Sequence, residues 1–76
     1  MSPEKLEKLR TILFNALKKV EEKHGDVIKS SIKYCVILEP DGKLVTADWL
    51  NDHPVVKSEI EQHYEISRLL VDALPS

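Results

Sequence analysis

The segment Glu39-Pro40-Asp41-Gly42, near the middle of the chain, limits the fold more than any other feature. Proline lacks the amide hydrogen that a helix interior needs, and glycine loses the most entropy when held there, so no regular element runs through this point. Before it, Ser31 to Leu38 is largely β-branched, aromatic or apolar; after it, Lys43 to Trp49 alternates loosely. Two such runs joined by proline and glycine in turn positions predict an antiparallel hairpin, with strands over about 31–38 and 43–49.

The flanking segments carry a different period. Ser2 before Pro3 and Glu4 reads as a helix start, with a hydroxyl cap, a proline tolerated in the first turn and an acid at the positive end of the dipole. Leu6, Leu9, Leu13, Ala16 and Val20 then recur at spacings of three and four, and Ile12 and Leu17 widen the stripe. Gly25, free to adopt positive φ, is the natural stop, so the first helix is predicted over about 3–24. After the hairpin, Asp52 or His53 caps a second helix with Pro54 in its first turn, predicted over about 54–74. Ile60, Tyr64, Leu70, Val71 and Leu74 lie on one side of it, and Ile66, Leu69 and Ala73 spread the apolar arc past half the circumference near its end. The expected fold class is α+β: one α-β-β-α domain over 1–76, with the hairpin packed against two amphipathic helices.

Seventy-six residues build a single small core. Entropy lost on ordering, on the order of 1.5 kcal/mol per residue, nearly cancels what so little burial returns, which favours association with a second copy. The run Tyr34, Cys35, Val36, Ile37 and Leu38 sharpens this expectation, because it is apolar on both faces of its strand. Either the two helices sandwich the hairpin, or both lie on one face and another polypeptide covers the other. Trp49, the only tryptophan, ends the second strand as a core lid or an interface anchor. The residues expected at an interface are Tyr34, Val36, Ile37, Trp49, Tyr64, Ile66, Leu69 and Leu70, and the expected assembly is a homodimer formed edge to edge through the hairpins or through the second helix.

Chemistry-bearing residues are scattered. His24, His53, His63, Cys35, Asp48 and Asp52 show no ligand spacing such as C-x-x-C or H-x-x-x-H, so no metal and no cofactor is expected. Tyr34 sits in the apolar strand and reads as buried. Asp41 is explained by the turn, Asp52 by capping, and Glu59, Glu61 and Glu65 by a solvated helix face, while Ser30 and Ser31 lack any nucleophile context. No catalytic residue is expected.

Charge is uneven along the chain, although the net value is only -2. Residues 1–47 carry nine Lys and Arg against seven acids, and residues 48–76 carry two against six. Lys18, Lys19, Lys23, Lys29 and Lys33 are the one candidate nucleic-acid stripe, but Glu21, Glu22 and Asp26 interrupt them, so a mixed-charge solvated face is the favoured reading. No stretch approaches the roughly 20 apolar residues of a membrane span, the N-terminus lacks an apolar signal region, and the lone Cys35 forms no internal disulfide. A cytoplasmic protein is expected.

The hairpin V-I-L-E-P-D-G-K-L-V at Val36 to Val45, following a helix, resembles the opening of roadblock-type sheet domains. Those folds continue with further strands after the next helix, so the shared part is a generic hairpin that implies no residue roles. The function expected from these features is a small non-enzymatic protein–protein interaction module, an adaptor, regulator or inhibitor of a larger partner. The alternative is a nucleic-acid-associated regulator using Lys18 to Lys33.

Overall fold

In a computed structural model, which describes residues 1–75, Ser2 opens the first helix as its sequence requires. Its hydroxyl accepts from the Lys5 amide at 3.3 Å, and Pro3 begins helix α1, Pro3–Lys23. Ser76, the last residue of the expected domain, lies outside the described residues. Strand β1 (Val36–Leu38) pairs antiparallel with β2 (Leu44–Thr46), and helix α2 (Pro54–Asp72) completes an α-β-β-α order. The fold is the small α+β arrangement that the periodicities predict.

Helices α1 and α2 run antiparallel. Lys23 and His24 at the end of α1 meet Glu59 in the first half of α2, whereas Met1 approaches Arg68 and Asp72 near the end of α2. Leu9, Leu13, Leu17 and Val20 of α1 and Val56, Ile60 and Val71 of α2 form the centre of the core. Val36 and Leu38 of β1, with Ile28, Ile32, Cys35 and Leu50 from the connecting segments, complete it. Each fully buried leucine here contributes about 1.5–3 kcal/mol of transfer free energy. Among the described residues Ser67 is the one buried polar side chain, and its hydroxyl is satisfied by donating to the His63 carbonyl at 2.7 Å.

Both strands are shorter than the sequence predicts. Residues 32–34 coil into a 3-10 turn, in which Tyr34 N bonds to Ser31 O at 2.9 Å and Cys35 N to Ile32 O at 2.8 Å. Residues 48–52 do the same, with Leu50 N on Ala47 O and His53 N on Leu50 O. These local bonds occupy backbone groups that lie outside the ladder of the two strands found among the described residues. Tyr34 is therefore outside the strand, and the expectation that it is buried fails: it is 73% exposed. Trp49, expected to end the second strand, lies in the second of these turns with its ring edge-on to His53 at 5.8 Å.

Helix α1 does not stop on a left-handed glycine. His24 is its C-cap, Val27 N and Ile28 N both bond to the His24 carbonyl, and the chain leaves in a right-handed turn that never asks Gly25 for positive φ. That conformation belongs to Gly42, at φ 90°. Gly42 N donates to Glu39 O and Glu39 N to Lys43 O, both at 2.8 Å, the pattern of a type I turn followed by a glycine bulge. Asp41 Oδ1 accepts from Lys43 N at 3.0 Å. A Cβ on Gly42 would lie 3.0 Å from both Arg68 Nη1 and Met1 Cε, so this turn is pressed onto α2 and the N-terminus.

Candidate functional site

Period-two alternation begins at Val36 and decides which side of the hairpin is covered. Val36 and Leu38 point into the core, while Ile37 points away from it and is 64% exposed. Its register partner Val45 is exposed beside it. The helices thus cover one face and leave the other bare. Ala47 N donates to Cys35 O and Glu39 N to Lys43 O, one bond on either side of the ladder, so by alternation Ile37 and Val45 form the hydrogen-bonded pair between them. The backbone groups of Val36, Leu38, Leu44 and Thr46 then point to the two sheet edges. Among the described residues, no backbone bond from outside the hairpin reaches them.

A second bare surface lies on α2. Ile66, Leu69, Leu70 and Ala73 recur at i, i+3, i+4 and i+7, and all four are exposed, Leu69 at 71%. This stripe lies to one side of the buried line Val56, Ile60, Ser67 and Val71.

Of the residues expected at an interface, Tyr34, Ile37, Trp49, Ile66, Leu69 and Leu70 reach the surface. Two do not serve as free surface. Val36 belongs to the core, on the inward side of β1. Tyr64 is half-buried, and its hydroxyl donates to the Gly42 carbonyl while accepting from Arg68 Nη1 at 3.0 Å. Arg68 Nη1 also reaches the Gly42 carbonyl, at 3.2 Å. Val45 and Val55 are bare positions that the sequence reading omits. A turn closing on Glu39 and Lys43 already places Val45 opposite Ile37, so the signal for Val45 was present.

Glu59 is not on a solvated face. Its carboxylate bridges Lys23 Nζ at 2.7 Å and His24 Nε2 at 2.8 Å, tying the end of α1 to α2. The hydrogen bond from Lys23, and then that from His24, hold its carboxyl below the ordinary glutamate value. Lys19 and Lys23 line a groove with Gln62 and His63. Lys18 and Lys33 instead line a separate shallow groove of about 510 Å³, floored by Phe14 and Ile32 and shared with Glu7 and Glu21. The basic segment is therefore divided between two sides of α1, not gathered into one stripe.

Among the described residues, no three His, Cys, Asp or Glu side chains converge as a metal site. Cys35 is buried, and burial pushes its thiol up from the ordinary value, away from nucleophilic thiolate. No helix among them is long and apolar enough to cross a membrane. Neither a known family model, nor a curated protein, nor a solved structure matches the chain.

Proposed function

We propose that this chain is a small non-enzymatic interaction module, an adaptor, regulator or inhibitor that acts by occupying a surface of another protein and that pairs with a second copy of itself. The observation that carries the reading is the division of exposed apolar side chains into two organised faces, the cross-strand pair Ile37–Val45 and the α2 stripe. Scattered apolar residues are normal on any surface, but side chains aligned by register or by helical period make a contiguous one. The hairpin is assigned to self-association. Its edges offer main-chain groups for pairing and its bare face offers the apolar contact, so a second copy satisfies both at once.

The nucleic-acid alternative loses support from the division of the lysines, since a phosphate backbone is followed by one continuous basic track. Equilibrium sedimentation across a wide concentration range tests the reading. A dimer is expected for the wild type and a monomer for the double variant Ile37→Lys, Val45→Lys, both retaining the same helical circular dichroism. A wild-type monomer at millimolar concentration would remove self-association, and a dimer indifferent to the double variant would remove the hairpin from it.

A further inference from the structure

The two sheet edges differ in access. Val36 and Leu38, whose main-chain groups point to the edge of β1, are only 4% and 8% exposed with their backbone included, so that edge has little room for another strand. Leu44 and Thr46 of β2 are half-buried, and their edge opens on a groove of about 490 Å³ walled by Lys57, Glu61, Tyr64 and Glu65 of α2. The open edge belongs to β2. Tyr64 bonds the Gly42 carbonyl at the hairpin tip, and Lys57 Nζ donates to Asn51 Oδ1 beyond the other end of the strand, at 2.7 Å, so α2 runs antiparallel to β2 here. Along the wall Lys57 therefore stands by Thr46, Glu65 by Leu44 and Glu61 midway.

We infer that a second copy pairs with β2, not β1, across a two-fold axis through Val45, a proposal that deepens the self-association reading and rests on it. Main-chain geometry sets the register. Residues of an antiparallel pair whose groups point at the partner face one another and exchange both bonds, so Leu44 opposite Thr46 of the mate, and Thr46 opposite its Leu44, make four. Sliding the mate by two residues sets Thr46 against Gly42, whose N–H and carbonyl are already bonded, or Leu44 against Asp48, which lies in a 3-10 turn. Val45 then meets its own counterpart with Cα atoms about 4.5 Å apart, and the bare row runs Ile37, Val45, Val45, Ile37 across both copies. The same axis crosses α2 level with Glu61, so Lys57 of each copy faces Glu65 of the other, and these two ion pairs flank one like-charge contact between the two Glu61 side chains. At two of its three positions the wall complements its own reverse, which favours a second copy over an unrelated strand.

Disulfide trapping and charge exchange test this. After mild oxidation of the folded protein, Val45→Cys should give a covalent dimer, whereas Ile37→Cys, three strand spacings or about 14 Å from its counterpart, should give none. The wild type, with Cys35 buried, supplies the baseline. At low salt Lys57→Glu and Glu65→Lys should each weaken the dimer about tenfold in equilibrium sedimentation, and the two changes combined should restore wild-type affinity. A cross-link at 37, none at 45, or no recovery in the combined variant would each overturn the proposal. If Val45→Cys stays uncross-linked while the wild type is a dimer broken by Ile37→Lys, Val45→Lys, this register is lost and self-association stands; a wild-type monomer removes both.

Discussion

Helices α1 and α2 are nearly equal in length, at 21 and 19 residues, and each begins on a proline, but the Ser2 hydroxyl caps α1 whereas His53, expected with Asp52 as a cap for α2, makes no side-chain capping bond. They differ in what their apolar residues do. In α1 the leucines form one line, buried from Leu9 to Leu17 and partly buried at Leu6. In α2 the apolar residues form two lines, one buried with Ser67 in its midst and one bare from Ile66 to Ala73. A single stripe describes a helix that the fold itself can satisfy; two stripes describe a helix with one face left over. The hairpin repeats the contrast between Val36 and Leu38 inside and Ile37 and Val45 outside.

Substitutions on the two helices separate these roles. The largest effect is expected from Leu13→Ala in α1, about 2–5 kcal/mol of lost stability in urea denaturation, because the side chain is fully enclosed and its removal leaves a cavity that the surroundings fill only in part. If Leu13→Ala cost no more than Leu69→Ala, the division between a core helix and a two-faced helix would be wrong. Gly42→Ala should cost about 1–3 kcal/mol, since alanine is strained at positive φ and its Cβ meets Arg68 and Met1. Tyr64→Phe should cost about 1 kcal/mol by removing one of the two donors to the Gly42 carbonyl.

The α1–α2 contact at Glu59 has its own pH signature. Its carboxyl is held down in the folded state, so the stabilisation is complete above the ordinary glutamate value of 4.5 and is lost as pH falls through the lower folded value. Glu59→Gln should therefore flatten the acid limb of a plot of urea midpoint against pH. The smallest effect belongs to Leu69→Ala, expected within about 0.5 kcal/mol of wild type in the same denaturation experiment.

The sequence disclosed the elements where a local rule was sufficient. Ser2 and Pro3 placed the start of α1, Pro54 placed the start of α2, and the turn at Pro40 to Gly42 placed the hairpin. It misled where a local pattern had two physical outcomes. A β-branched and aromatic run can extend or coil, and residues 32–34 coil because β1 has a partner on only one side. Gly25 offered a left-handed stop that the bonds to the His24 carbonyl made unnecessary. The stripe from Ile66 to Ala73 was visible as apolar excess, but its separation from the core depended on where α1 lies. Glu59 was invisible for the same reason: its partners are 35 and 36 residues away.

The contact between hairpin and helix has an asymmetry in what mutation can reach. The acceptor at the hairpin tip is a main-chain oxygen, present whatever residue occupies position 42, whereas both donors are side chains one turn apart on α2. Sequence drift can therefore delete a donor only from the helix, whereas the hairpin side is vulnerable at position 42 alone among these groups, where any Cβ would press on Arg68 and Met1.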